Sequence, residues 1–277
     1  MSERIPITDD FLFGAVMRKK KYCIPLLEVI LNVKIRDIAY VNEQQAISAE
    51  VPGAKSIRLD VYVEDDQNTV YDIEIQTTWK LNLPKRTRMY QSMIDIRAME
   101  KGQDYTKLKK SFVIFICTYD PYQSERYVYT FSKRCNEENE IILEDDATII
   151  LLNTKGKKGI ISSELRALLE YFDSGVPQND YTRALDGEVE LFNADEKWRM
   201  ERMTLMDAYA TQREIGRYNH TVASIRRRAK RNPASLDAEY AEDLGISLSN
   251  MEEVTALIQQ HPDWDDAKIA FETKRNA

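Results

Sequence analysis

Residues 111–118, with the sequence SFVIFICT, constrain the fold of this chain most strongly. Apolar side chains occupy both odd and even positions, which predicts a strand that is covered on both faces. Such strands occur in sheets that carry helices on both sides. A helical pattern precedes this strand, and two strand patterns and a helical pattern follow it: LPKRTRMYQSMIDIRAMEKG, RYVYTF, TIILLNT and SSELRALLEYF. This order predicts an α/β fold.

The beginning of the chain is also predicted to be helical. TDDFLFGAVM has Thr8 or Asp9 as a candidate N-cap and an apolar stripe behind it, and IPLLEVILN follows as a second helix. A strand is expected within residues 36–47. Beyond residue 172 the strand patterns stop, and the Gly- and Pro-containing segment GVPQND interrupts the chain.

These changes of pattern predict three regions. They are an α/β core over residues 1–172, a helical extension over 173–215 and a helical C-terminal module over 216–277. A basic run over residues 213–231, which contains SIRRRAKR, makes DNA contact by this module a reasonable hypothesis. The spacing of a helix-turn-helix occurs at Ala241, Gly245 and Met251. Because that pattern is short and common, a plain helical module is the preferred interpretation.

Composition excludes several classes of protein. The 277 residues are 43% hydrophobic, which is enough for a packed core, yet no apolar run approaches the roughly 20 residues of a membrane span. The first residues lack the pattern of a secretory signal, so we expect a cytoplasmic protein without a membrane partner. Three dispersed cysteines and two histidines do not support disulfides, a zinc site or a catalytic histidine. Catalysis then falls to carboxylates, amides and lysines.

Residues 57–76, IRLDVYVEDDQNTVYDIEIQ, alternate in two runs and predict a β-hairpin with its turn near Gln67. This register places Asp60 opposite Glu74, with Cβ atoms about 5 Å apart. Two carboxylates in that position repel each other. Either this polar face is solvated, or a cation lies between the two side chains. Their oxygens suit Mg²⁺, with Mn²⁺ as a substitute, and the carbonyl of Ile75 is a further candidate ligand.

Basic residues are clustered although the net charge is −7. Between Trp79 and Lys110, nine Lys or Arg residues stand against three acids. We predict that the helix in this segment contacts the phosphates of DNA, which positions the substrate without reading its sequence. The predicted contact residues are Lys80, Lys85, Arg86, Arg88 and Gln91. The alternatives are a solvated helix face and an ion-pair network of Arg88 with Asp95 and Glu74.

Six motifs together resemble a known family. They are TDDFLFGAVM, LLEVILN, IRLDVYVED, YDIEIQT, LPKRTRMYQSMID and SFVIFICTYDP, in this order over about residues 8–155. This set resembles the PD-(D/E)XK nuclease family transposases, also described as recombination-promoting nucleases. The resemblance implies a restriction-endonuclease-like fold, in which helices flank a mixed central sheet and the active site lies at one end of the hairpin. It also implies a Mg²⁺-dependent DNA endonuclease that hydrolyses phosphodiester bonds in recombination or transposition.

The resemblance assigns roles to individual residues. Asp60 matches the motif aspartate, Glu74 matches the motif glutamate, and Gln76 occupies the usual lysine position. Asp10 aligns with an acidic residue of the first helix, where an acid is also favoured by the helix dipole alone. The amide of Gln76 orients a water or a phosphate oxygen but carries no charge, so a bound metal would supply most of the acidification of water.

This departure from the family pattern leaves a second function open. A nuclease fold that has lost catalysis would bind nucleic acid, or a protein, without cutting. Lys80 and Lys85 are candidates for the missing charge, although such lysines more often contact phosphates or solvent. A third hypothesis gives the long C-terminal helices a role in homo-oligomer formation.

Overall fold

The structure is a computed structural model that describes residues 3–40, 60–99 and 102–276. The chain divides into two units, Met1–Glu196 and Lys197–Ala277. The predicted helical extension, residues 173–215, spans this division. None of the described helices combines the length and the apolar character that a membrane crossing requires.

A mixed sheet forms the centre of the first unit. Within the described residues its strands are β1 (Ile38–Tyr40), β2 (Val61–Asp65), β3 (Val70–Gln76), β4 (Ser111–Cys117), β5 (Val128–Phe131) and β6 (Ala147–Asn153). The helices of this unit are α1 (Asp10–Met17), α2 (Lys20–Leu31), α3 (Leu83–Ala98), α4 (Ser163–Ser174) and α5 (Asp180–Ala194). The strand order is β1-β2-β3-β4-β6-β5. Strands β3, β4 and β6 are parallel, and the remaining pairs are antiparallel.

Strand β4 lies in the middle of this sheet and is covered on both faces. Its consecutive residues Val113, Ile114 and Phe115 are all inaccessible to solvent, as the apolar pattern predicts. Helix α3 connects β3 to β4 and packs against β4, where the ring of Tyr90 meets the ring of Phe115 edge-on at 5.5 Å between centroids. The mixed sheet with flanking helices confirms the predicted fold class.

The hairpin between β2 and β3 has the predicted register. Val61 lies opposite Ile73 and the turn follows at Asp65, whose carboxylate accepts hydrogen bonds from the backbone N–H groups of Gln67 at 2.8 Å and Thr69 at 2.9 Å. This turn fixes the pairing of the two strands, because an Asp side chain that bonds the backbone two residues ahead closes a tight turn. Residues 57–59, predicted to begin the first strand, lie outside the described residues, as do residues 41–47 of the earlier strand prediction.

The predicted helices also form, and their ends follow from their sequences. Asp9 caps α1 by accepting a hydrogen bond from the N–H of Leu12 at 3.0 Å, and α1 packs against β3. Phe13 of α1 meets Phe172 of α4 with ring centroids 6.1 Å apart. Helix α5 contacts α2, since the hydroxyl of buried Tyr22 on α2 donates to Glu188 on α5 at 2.8 Å.

The second unit is helical in its described part. Its helices are α6 (Glu196–Arg231), which begins one residue before the unit, α7 (Ala238–Asp243), α8 (Leu248–Gln260) and α9 (Asp266–Asn276). Buried apolar side chains from all four helices form its core, among them Val222, Ala241, Met251 and Ile269. Gly245 adopts a φ of 67° in the turn between α7 and α8. Earlier on α6, Met200 and Met203 are exposed, and homo-oligomer formation through these helices stays a prediction.

Candidate active site

Three even-numbered residues of β3 form a polar row beneath α3. Asp72, Glu74 and Gln76 have exposed fractions of 0%, 3% and 7%. The interpretation of this face as solvated is therefore wrong, because α3 covers it. Three adjacent polar side chains on a buried strand face carry a large desolvation cost, which is tolerated mainly where function requires it.

Asp60 and Glu74 meet across the hairpin as the register predicts. The backbone N–H of Asp60 donates to a carboxylate oxygen of Glu74 at 2.9 Å, and the N–H of Ile75 donates to a carboxylate oxygen of Asp60 at 3.3 Å. Burial raises the pKa of Glu74 well above its usual value, and the negative charges of Asp60 and Asp72 raise it further. The two backbone hydrogen bonds fix the carboxylates in place, but they do not remove this repulsion.

Asp72 is a third carboxylate on the same strand face, and the sequence motifs predict no role for it. Neither of its carboxylate oxygens has a hydrogen-bond partner among the described residues. Burial raises the pKa of Asp72 well above its usual value, Asp60 raises it further, and Arg86 opposes the shift. Its position two residues before Glu74 in an alternating strand is the signal that places it on the same face.

The guanidinium of Arg86 reaches this row from α3. It donates to the side-chain oxygen of Gln76 and to the hydroxyl of Tyr90, the latter at 3.0 Å, and it lies 3.7 Å from a carboxylate oxygen of Glu74. The amide nitrogen of Gln76 donates to the carbonyl of Thr78 at 2.7 Å. Both ends of the Gln76 amide therefore form hydrogen bonds, and its oxygen accepts from the guanidinium of Arg86.

Arg86 stays charged although it is partly buried. Burial alone would lower its pKa, but the hydrogen bond to Tyr90 and the charges of Glu74 and Asp60 outweigh that effect and raise it. The guanidinium also lies 5.3 Å from the ring centroid of Phe115. Tyr90 is a second residue of the site that the sequence motifs do not predict, and the signal for it is its spacing of four residues from Arg86 on one helix.

The alternative ion-pair network assigned to Arg88 is wrong. Arg86, half a turn earlier on α3, forms the ion pair with Glu74, while Asp95 accepts a hydrogen bond from Gln91 at 3.0 Å. Arg88 is exposed. The difference arises because the packing of α3 on the sheet determines which of two neighbouring arginines faces inward, and the local sequence does not encode that rotation.

Three of the predicted DNA-contact residues lie on the surface near this site. Lys80 is exposed in the segment that follows β3, and Lys85 and Arg88 are exposed on the first turns of α3. None of the three forms an ion pair with a described residue. Lys85 and Arg88 lie one residue before and two residues after Arg86 on α3.

Gln91 is not brought together with the other site residues. Its amide nitrogen donates to the hydroxyl of Ser111 at 2.8 Å, at the beginning of β4. Ser111 is paired with Val70, whereas Cys117 at the other end of β4 is paired with Gln76. Six residues of strand separate these ends, which corresponds to about 20 Å. Gln91 therefore lies toward the end of the sheet opposite Gln76.

Asp10 lies on the first turn of α1 and is exposed, and its carboxylate accepts a hydrogen bond from the N–H of Phe11 at 3.0 Å. One turn later, Gly14 approaches the hairpin so closely that a Cβ atom there would lie 3.4 Å from the carbonyl oxygen of Asp60. Residues four apart share a helix face, so Asp10 stands on the side of α1 that meets Asp60. The structure gives no direct contact between the two carboxylates.

A divalent cation fits this arrangement through two carboxylates rather than a closed cage. Among the described residues no three His, Cys, Asp or Glu side chains converge tightly enough to ligate one ion. Asp60 and Glu74 are directly opposed, and the carboxyl of Asp72, whose oxygens have no hydrogen-bond partner among the described residues, lies on the same strand face two residues before Glu74. Mg²⁺ is commonly held by one or two carboxylates, with water and phosphate completing its shell. Ile75, whose carbonyl is the third predicted ligand, adjoins Asp60.

Comparison with known proteins identifies the family. The family model described as PD-(D/E)XK nuclease family transposase matches residues 10–170, which include every predicted site residue. Searches of curated proteins and of solved structures give no match.

Proposed function

Because the chain belongs to the PD-(D/E)XK nuclease family transposases, which supports a nuclease or transposition-related role, we propose that it is a metal-dependent DNA endonuclease acting in recombination or transposition. The observation that carries this proposal is the opposition of Asp60 and Glu74 on a polar strand face that α3 covers, where burial, and then the charges of Asp60 and Asp72, raise the pKa of Glu74. A structural ion pair lowers the pKa of its carboxyl, whereas at Glu74 burial and like charge raise the pKa although the guanidinium of Arg86 lies 3.7 Å away.

Asp60 and Glu74 are the residues that would hold Mg²⁺ or Mn²⁺, with the carbonyl of Ile75 as a further ligand. When bound, such a cation lowers the pKa of a water molecule and neutralises charge on a phosphate. The two hydrogen bonds between Asp60 and the β3 segment keep the carboxylates in fixed positions, so little reorganisation accompanies binding.

Arg86 supplies the positive charge that the family's lysine usually provides. Hydrolysis forms a bond from a water oxygen to phosphorus and breaks a P–O ester bond, and negative charge is stabilised on the phosphate oxygens as this happens. A guanidinium fixed beside Gln76 and Glu74 is suited to that stabilisation because its planar N–H groups match phosphate oxygens. Gln76 then acts mainly by holding Arg86, and Tyr90 holds it from the other side.

The exposed residues around the site would position the DNA. Lys80, Lys85 and Arg88 contact backbone phosphates in this proposal, because none is engaged in an ion pair with a described residue. Asp10 has an accessory role at the edge of the site, and Gln91 has the weakest support because it hydrogen-bonds Ser111. Contacts of this type give affinity without sequence preference.

A non-cleaving nucleic-acid-binding protein is the second candidate function. The observation that favours it is Gln76 at the lysine position, with both ends of its amide already engaged. In this alternative the basic surface is retained and the metal is not required.

Nicking of supercoiled plasmid in Mg²⁺ or Mn²⁺ distinguishes these functions. We expect the wild-type chain to convert supercoiled DNA to the open circle, and Asp60→Asn and Glu74→Gln to lower the rate by at least about 1000-fold, since each removes a ligand. Calorimetry with the same ions should show binding that is lost in Asp60→Asn. Glu138→Gln, which neutralises an exposed carboxylate far along the chain, serves as the control. Nicking that persists unchanged in Asp60→Asn contradicts the proposal, and DNA binding without nicking or metal binding supports the second function.

A further inference from the structure

The second unit contains a cavity of about 430 Å³ whose lining is basic. It lies at the end of α6 and in the segment that follows, and three arginines of α6 line it: Arg227, Arg228 and Arg231. Ser224, Ser235 and Tyr240 also line it. Its lining contains no carboxylate.

Neutral groups hold two of these arginines in place. Arg228 donates to the hydroxyl of Ser235 at 2.9 Å, and its guanidinium lies 3.9 Å from the ring centroid of Tyr240. Arg227 donates to the hydroxyl of Ser224 at 3.2 Å. Such partners orient a guanidinium without cancelling its charge, so the cavity keeps its positive potential.

The acidic sequence that follows α6 makes this cluster of arginines unusual. Residues 232–266, which follow α6, contain nine Asp or Glu residues and no Lys or Arg. Among the described residues one of these acids, Asp266, pairs with the basic end of α6, where it meets Arg226 at 2.7 Å. The cavity-lining arginines form no ion pair with a described residue, although suitable carboxylates are close in the sequence.

The helix dipole does not account for the whole cluster. Cations are favoured in the last turn of a helix, which explains Arg228, Lys230 and Arg231. Arg227 lies before that turn, yet it lines the same cavity. The convergence of three guanidinium groups with hydroxyl groups is instead the donor set that recognises phosphate oxygens.

We infer that this cavity binds a backbone phosphate of a nucleic acid, and that the C-terminal unit thereby carries a phosphate-binding site of its own. The inference rests on the proposed function only in the choice of DNA as the ligand, since no metal and no cleavage are involved. Contact with base edges is not part of it, because α8, which would be the recognition helix of a helix-turn-helix, carries Glu252 and Glu253 and no Lys or Arg.

The test measures binding of the full chain to a fluorescent DNA duplex by anisotropy in EDTA, over a series of NaCl concentrations. The double variant Arg227→Gln/Arg231→Gln is compared with Lys230→Gln/Lys268→Gln, which removes the same charge from two exposed lysines that do not line the cavity. We expect the arginine variant to bind about tenfold more weakly at low salt, as for loss of a charge-assisted contact. Its log–log salt slope should fall by about one, while the slope of the lysine variant stays unchanged.

Equal losses in the two double variants would overturn the inference, because only the net charge would then matter. An absence of DNA binding by the wild-type chain would overturn it as well. If Arg227→Gln/Arg231→Gln lacks the wild-type circular dichroism spectrum, Arg227→Lys/Arg231→Lys replaces it; the expected loss is then smaller but still exceeds that of the lysine control.

A parallel series in sodium phosphate at matched ionic strength separates DNA from free phosphate as the ligand. If inorganic phosphate at millimolar concentration abolishes the difference in DNA affinity between wild type and the arginine variant, the assignment to nucleic acid is overturned. Failure of plasmid nicking in Mg²⁺ bears on the proposed function alone, since the binding assay contains EDTA.

Discussion

At the scale of single residues, Arg86 and Gln76 are in contact in the candidate active site. Gln76 cannot carry a charge, and the guanidinium that contacts it comes from a different element of the fold. In the proposed function, the catalytic cation is therefore separated in sequence from the motif position at which the family usually has a lysine. If catalysis requires a positive charge beside Glu74, another residue that places a positive charge there should be able to replace Arg86.

Moving the positive charge from Arg86 to position 76 gives a testable prediction. Arg86→Gln should lower the nicking rate by about 100- to 1000-fold, as for removal of a group that stabilises transition-state charge. Adding Gln76→Lys to this variant should restore the rate at least about tenfold, because an ammonium then stands near Glu74. Gln91→Lys in the same Arg86→Gln background adds an equal charge at the other end of the sheet and should restore nothing. Rescue by both lysines would show that the position of the charge is immaterial.

Asp72 gives a prediction about stability and pH. In EDTA, Asp72→Asn should stabilise the protein at pH 8, because the buried carboxylate has no hydrogen-bond partner among the described residues. Burial raises the pKa of Asp72 in the folded state, so the wild type loses stability as pH rises above about 4, the ordinary pKa of an unfolded Asp.

The size of this effect follows from the same shift. The stabilisation should be about 1.4 kcal/mol for each pH unit by which the pKa of Asp72 is raised, and it should vanish near pH 4. Urea denaturation of both proteins from pH 4 to pH 8 measures it. A gain that stays constant across this range would mean that the ionisation of Asp72 is not its source.

At the scale of elements, the sequence predicts which segments become helices and strands better than it predicts which faces they cover. The turn at Asp65 and the two-residue alternation were sufficient for the hairpin register, because both depend on local geometry. The burial of the polar row on β3 depends on α3, whose position is set by packing over the whole sheet. For this reason Asp60 and Glu74 were paired correctly, whereas Asp72 and the inward turn of Arg86 were missed.

Helix α5 gives a prediction at this scale. Leu185 and Val189 are fully buried, and Glu188 accepts a hydrogen bond from buried Tyr22. A chain ending at residue 172 would lose all of α5, so it should be less stable than a chain ending at residue 196 by at least about 3 kcal/mol, the value of two buried aliphatic side chains. Chemical denaturation of the two truncated chains measures this difference. Equal stabilities would mean that the core is complete at residue 172.

At the scale of the whole molecule, charge is distributed unevenly along the chain. The sequence carries a net charge of −7, yet its basic residues concentrate around α3 and at the end of α6. An acidic protein with two basic surfaces repels a polyanion at most orientations and attracts it at a few. This distribution was visible in the sequence, but the cavity of the second unit was not, because it requires the folded arrangement of α6 and the segment after it.

The burial of Cys117 has a practical consequence for following motion in this protein. Cys117 is paired with Gln76 in the sheet, is inaccessible to solvent in the core beneath α3, and has a pKa that burial raises to about 12. A thiol in this state resists alkylation until the structure opens locally. In a chain with Cys23 and Cys135 replaced by Ser, the rate at which iodoacetamide labels Cys117 reports how often α3 separates from the sheet. The same rate therefore reports how often the carboxylates that α3 covers become exposed.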